Sequence, residues 1–224
     1  MKLRTPYFGL LRRRECLVPT WQGLLLLILI GAGSISLFAM NVQSFLALTE
    51  PVSADVLVVE GWAPDFVMEE AVNEFERGHY SRLYVTGGPI EQGSIMSEFK
   101  TYAELGAAIL LKMGVKSSFI EAVPSPSVRR DRTYASALAL KNHMQQKAHV
   151  YTDINLMSLG VHSRRSRLLF EQAFDGDLRV GIIAVEDRND YGKDWWKFSN
   201  GVRSIANELF AYIYALLVFP FIEP

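Results

Sequence analysis

Residues 16–49 contain no Asp, Glu, Lys or Arg, and within them Trp21–Met40 is a 20-residue stretch dominated by Leu and Ile. That length matches a hydrocarbon core of ~30 Å at ~1.5 Å rise per helical residue. Inside lipid the backbone must bond within its own segment, so a single run of this kind can only be a helix. Its flanks are asymmetric. Before it lie Lys2, Arg4, Arg12, Arg13 and Arg14 against one acid, Glu15; after it, up to Glu60, come only the acids Glu50, Asp55 and Glu60. Cytoplasmic flanks are enriched in Lys and Arg, which puts the N-terminus inside and the rest outside, with Trp21 as an interfacial anchor. The alternative is a cleaved signal peptide. Its apolar region would be ~7–15 residues ending at a small-x-small site, and the end of this run, Phe38-Ala39-Met40-Asn41, is a poor match. The expected organisation is a basic cytoplasmic tail (1–20), a transmembrane anchor (21–40), a linker (41–53) and an extracytoplasmic domain (54–224). The expected location is the inner (plasma) membrane, single-pass, with the domain periplasmic or otherwise extracytoplasmic.

The only cysteine, Cys16, precedes the anchor, so the exported part has no disulfide framework and must rely on its core, which about 170 residues can supply. The net charge of −1 comes with no basic patch interleaved with aromatics, so nucleic acid is not an expected partner. Leu209–Ile222 is also uncharged, but it is short for a span and contains Pro220. It reads as a helix docked on the core, or as one lying against the membrane through Tyr212, Tyr214 and Phe219.

The middle of the chain alternates strands and helices. Short β-branched or apolar runs at 54–59, 82–86, 118–123, 153–159 and 180–185 read as buried strands. Helical patterns follow at 65–78, from Ser97 to Met113, from the cap Asp131 to Gln146, from His162 onward, and over 193–200 and 202–219. Repeated strand–helix units predict an α/β fold: a doubly wound, mainly parallel sheet with helices on both faces, here with one N-terminal transmembrane helix. In such sheets ligands bind outside the carboxyl ends of the strands. The loops after the strands are therefore where chemistry is expected.

The fourth of these loops is the richest, Gly160-Val161-His162-Ser163-Arg164-Arg165-Ser166-Arg167. Helix N-termini offer free N–H groups and favour anions, whereas cations there are disfavoured. Three arginines and a histidine at such a place point to an anionic ligand held by Arg164 and Arg165; the plain alternative is solvated or salt-bridged arginines. Imidazole is the side chain that changes charge nearest neutral pH, so His162 is the candidate acid or base. After the first strand, Gly61 allows a close backbone approach, and Trp62 either stacks on a ligand ring or covers the core. After the second, Gly87 and Gly88 allow positive φ and expose N–H groups to an anion. Glu98 holds a ligand hydroxyl, or acts as a base, or is simply a favourable first-turn acid. After the third, Arg132 and Thr133 suit a phosphate or carboxylate, with Arg129 and Arg130 beside them. The chain has no GxGxxG, no GK[ST], no GxSxG and no SxxK, and His79, His143 and His149 are scattered. No metal and no cofactor are expected.

The ordered set Asp55-Val56-Leu57-Val58-Val59-Glu60-Gly61, Val85-Thr86-Gly87-Gly88, Ser97-Glu98, Asp131-Arg132-Thr133-Tyr134 and His162-Ser163-Arg164-Arg165-Ser166 resembles the SanA/ElyC/YdcF family of bacterial envelope-associated domains, over roughly residues 52–186. The resemblance implies a Rossmann-like domain, often tethered to the inner membrane and linked to envelope integrity, peptidoglycan-precursor lipid metabolism and vancomycin tolerance. One cytoplasmic member is associated with S-adenosylmethionine, a cytoplasmic metabolite ill suited to an exported domain. By motif position the resemblance carries over Gly87, Gly88, Glu98, Thr133, His162 and Arg165. The chain departs from the pattern where the family has an Asn shortly after the threonine; Tyr134-Ala135-Ser136-Ala137 stands there. Glu-Gly-Trp replaces the commoner Leu-Gly-Gly in the first loop, and an extra arginine cluster precedes Thr133.

Two functions fit. One is an envelope enzyme acting on a phosphorylated lipid carrier, its sugar conjugate or another anionic envelope metabolite, with His162 and Glu98 as catalytic groups and arginines and glycine amides holding phosphate. The other is a non-catalytic binding or assembly module, favoured by the lack of a recognisable nucleophile. The expected partners are membrane lipid and a phosphate-bearing small molecule or lipid-linked sugar.

Overall fold

The computed structural model describes residues 18–91, 97–147, 150–188 and 192–221. Most of the basic tail, with Cys16, and His149 lie outside the described residues. The chain divides into two units, Met1–Met40 and Asn41–Pro224.

The first unit is the body of helix α1 (Trp21–Leu46), which carries no acid in its first turn and no base in its last. Thr20 starts it by accepting the Gly23 N–H at 3.2 Å. Its leucines and isoleucines from Leu24 to Ile30 are all about half exposed or more. The helix is long and apolar enough to cross a membrane.

The second unit is a doubly wound α/β domain. In chain order it contains β1 (Val56–Glu60), α2 (Asp65–Arg77), β2 (Arg82–Gly87), α3 (Tyr102–Lys112), β3 (Ile120–Pro124), α4 (Arg132–Gln146), β4 (Asp153–Leu159), α5 (Ser163–Phe174), β5 (Arg179–Val185) and α6 (Ser199–Leu217). The five strands form one sheet in the order β3-β2-β1-β4-β5, and every pairing is parallel. Strand alternation sorts the side chains onto two faces. Val56, Val58, Tyr84, Ile154 and Leu156 pack under α4 and α5 against Leu140 and Phe170. Leu57, Val59, Leu83, Val85 and Met157 pack under α2 and α3 against Met68 and Leu110. The central strands are buried on both faces, which is why their sequences read as continuous apolar runs.

Two local expectations differ from what is observed. Helix α3 starts at Tyr102 rather than near Ser97. Thr101 accepts from the Glu104 N–H while Glu104 accepts from the Thr101 N–H, a capping box that outcompetes the earlier serine. Residues 41–53 are not a free linker but part of the domain. Val42 and Leu46 are buried against Ile205 of α6. Glu50 exchanges both backbone hydrogen bonds with Ile182 at 2.8 and 3.1 Å, and the Asn155 amide bonds the Val52 N–H and C=O, each at 2.8 Å. Gly181 makes room for this, because a Cβ there would sit 2.0 Å from Asn155 Oδ1 and 2.7 Å from Val52 N.

Helix α6 is docked on the domain. Ile205 packs on Val42 and Leu46 in the last turns of α1, and Ala215 and Phe219 pack on Leu169 of α5.

Candidate functional site

The sheet order reverses between β1 and β4, and in open parallel sheets that switch point opens a crevice at the carboxyl ends. A cavity of about 680 Å³ lies there. Its walls are Glu60 and Trp62 after β1, Thr86 to Pro89 at the end of β2, the loop from Ser125 to Thr133 entering α4, His162 and Arg165 at the start of α5, and Glu208 and Tyr214 of α6.

The floor is polar and densely bonded. Glu60 is 2% exposed. Its carboxylate accepts from Ser158 Oγ at 2.5 Å and from Ser166 Oγ at 3.1 and 3.2 Å. Among the described Lys, Arg and His side chains, only His162 comes within 4 Å of it, with Nε2 3.9 Å from Oε1. A buried carboxylate is tolerated only when hydrogen-bonded or paired, and here two serine hydroxyls meet that need. His162 Nδ1 lies 3.0 Å from Glu208 Oε1 and 2.8 Å from Arg165 Nη2. Arg165 in turn donates to Glu208 at 2.9 Å from Nε and 3.3 Å from Nη2. Burial pushes the Glu208 carboxyl up, but the His162 and Arg165 contacts outweigh it and hold it at about 2, below its ordinary 4.5. The imidazole therefore has a carboxylate beyond each nitrogen, and the Trp62 ring meets it edge-on at 4.9 Å.

Two polar atoms here have no hydrogen-bond partner among the described residues: His162 Nε2 and Thr86 Oγ1. Thr86 is 1% exposed. Buried polar groups are nearly always satisfied, so each orphan needs an explanation.

Of the residues singled out in the sequence, seven line the cavity: Trp62, Gly87, Gly88, Arg132, Thr133, His162 and Arg165. Three do not. Gly61 serves packing, since a Cβ there would fall 2.4 Å from the Tyr102 carbonyl oxygen. Glu98 is exposed and lies away from the cavity walls. Arg164 turns to the last turn of α1, where it donates to the Phe45 carbonyl and stacks 4.0 Å over the Phe45 ring. Neither Gly87 nor Gly88 adopts positive φ. Gly87 is small because a Cβ would meet Tyr102 Cβ at 2.8 Å. Asp131 occupies the N-cap position of α4 in a left-handed conformation (φ 58°) without capping through its side chain. The arginines are largely compensated: Arg165 by Glu208, Arg132 by Glu91 at 2.9 Å and Arg130 by Asp131 at 3.5 Å. Arg129, also in the wall, has no partner among the described residues.

Sequence reasoning missed Glu208, Thr86 as a cavity residue, and the Ser158–Ser166 pair beneath Glu60. Only Ser158 left a signal, a hydroxyl between the apolar Met157 and Leu159 of β4.

Chemically, the arrangement offers an imidazole fixed by a carboxylate–guanidinium pair, a buried carboxylate beside it, an orphan hydroxyl, and a 15-residue helix N-terminus with Arg129. Among the described residues no group of three or more His, Cys, Asp and Glu is placed to hold a metal.

Fold and site together define a Rossmann-like α/β domain with a switch-point cavity, on a chain that also carries an apolar helix long enough for a membrane. No protein-family model matches the chain, and no curated protein or solved structure matches it significantly.

Proposed function

We propose that this chain is a membrane-anchored protein of the cell envelope whose α/β domain binds a phosphate-bearing ligand, such as a phosphorylated lipid carrier or its sugar conjugate, and carries out acid–base chemistry on it. Helix α1 is the anchor, with the N-terminus cytoplasmic and the domain outside. The resemblance to the SanA/ElyC/YdcF family points the same way.

The observation that carries this reading is a pair of buried polar atoms that make no hydrogen bond among the described residues, His162 Nε2 and Thr86 Oγ1, in the walls of one cavity. Phosphate fits at the N-terminus of α4, where Arg129 lacks a carboxylate partner among the described residues and the helix dipole favours an anion. His162 Nε2 then exchanges a proton with the bound ligand, while Nδ1–H donates to Glu208, which Arg165 holds in place. Phosphoester chemistry depends mostly on positioning and electrostatics, which this set provides.

A second reading, a non-catalytic binding or assembly module, is favoured by the compensated state of Arg165, Arg132 and Arg130. The discriminating experiment is native mass spectrometry of the intact chain, gently extracted and incubated with polyprenyl phosphate and a polyprenyl-diphosphate sugar. The enzyme reading expects a bound phosphate-bearing species, weakened in Arg129→Ala, and substrate turnover lost in His162→Gln. Binding without turnover under every condition selects the module. No bound species in a folded wild-type chain refutes the ligand assignment.

A further inference from the structure

Helix α6 has two faces of different use. One bears Glu208 and lines the cavity with Ala211, Tyr214 and Ala215. The other bears Phe210, Ile213 and Leu217, spaced three and four apart, with Phe221 just beyond the helix; these are 71%, 41%, 60% and 85% exposed. From Leu209 to Phe221 there is no charged residue. A helix flank in water is ordinarily polar, and an apolar flank of this extent marks a docking surface.

We infer that this face is seated in the surface of a lipid bilayer, with α6 lying in the interfacial plane rather than crossing it. Three observations select lipid. The segment emerging from the apolar run of α1 packs directly on α6: Val42 and Leu46 against Ile205, with Leu209 and Tyr212 beside them, and Phe45 edge-on to Tyr212 at 5.7 Å. A bilayer entered by that run therefore begins a few residues from this face. Along the helix the flank is bordered by Tyr212 and Tyr214, a residue type that gathers at headgroup level. Finally, α6 is long and apolar enough to cross, but Glu208 ties its middle to Arg165 and His162. Spanning would break that part-buried pair, whereas lying flat, as interfacial amphipathic helices do, keeps it. In this arrangement α6 is a wall shared by cavity and bilayer.

The docking rests on anchoring by α1 and not on what the cavity binds. It is tested with the full chain carrying Cys16→Ser and single cysteines introduced as Phe210→Cys, Leu217→Cys or, as a control on exposed α3, Lys112→Cys. Each is labelled with an environment-sensitive fluorophore and reconstituted in phosphatidylcholine–phosphatidylglycerol vesicles with nitroxide-bearing lipid. Labels at 210 and 217 are expected to blue-shift and to be quenched about twofold or more, with the control unquenched. Unquenched labels at 210 and 217 in a chain that cofractionates with vesicles overturn the docking and leave the anchor standing. Blue-shifted, unquenched labels with cross-linking between copies also overturn it, because a second copy then covers the face. A folded chain that does not cofractionate overturns the anchor and the docking together.

Discussion

Glu208→Gln removes one charge from the centre of the site and tests how the site is held. The wild-type carboxylate is only 19% exposed and bonds both His162 and Arg165. The gap between its folded value of about 2 and the ordinary 4.5 corresponds to about 3 kcal/mol at neutral pH. Breaking a fully buried pair from one side costs about 3–5 kcal/mol, because the partner charge is left uncompensated, and this pair is only part-buried. Glu208→Gln is therefore expected to lose up to about 3 kcal/mol at pH 7. The pH dependence reads the same quantity by a second route. The folded pKa lies below the unfolded one, so the unfolded chain binds more protons through this interval and stability rises with pH. The contribution is complete above about pH 4.5 and disappears as the pH falls toward about 2. Urea or thermal unfolding of the full chain in detergent, followed by circular dichroism from pH 7 to pH 2, measures both. The variant should start lower and lack this part of the acid slope. A loss below about 0.5 kcal/mol at pH 7, or an unchanged slope between pH 4.5 and 2, would refute the reasoning.

Further predictions concern the floor and the packing around it. Ser166→Ala should cost about 1–3 kcal/mol in the same unfolding assay, because the Glu60 carboxylate loses a donor that reaches both its oxygens. Gly61→Ala should cost about 1–3 kcal/mol or more, since its Cβ would press on the backbone of α3, whereas the tightest contact of Gly88→Ala is Ser125 Oγ at 3.2 Å and it should be milder. Thr101→Ala should cost about 1 kcal/mol and fray the start of α3, visible as faster amide exchange in its first turn.

The strands and their parallel pairing were legible because they are short, largely apolar runs bounded by Gly, Pro or polar residues and alternate with helical segments, whereas their order in the sheet was not. Helix starts were less so. Ser97 and Thr101 both offer a cap, and only the Glu104 reciprocal bond decides between them. The arginine cluster shows the limit more clearly. Residues 162, 165, 166 and 169 share one helix face and reach the cavity side, while Arg164 and Arg167 rotate away to Phe45 and to Glu50 and Glu171. Sequence spacing placed the cluster at the site but could not give the phase of the helix. Glu208 was illegible for a different reason: its role depends on α6 returning across α5, a contact set by packing and not by local pattern.

The most direct measurement on the central claim uses Thr86→Val, which keeps the shape and removes the orphan hydroxyl. If Thr86 Oγ1 exists to meet a ligand, the unliganded variant should be more stable than wild type by about 1–3 kcal/mol, since a buried unsatisfied group is gone. Its affinity for polyprenyl phosphate should fall by about tenfold, the loss of one net hydrogen bond. A variant less stable than wild type, or one stabilised with unchanged affinity, would contradict the assignment of this cavity as the ligand site.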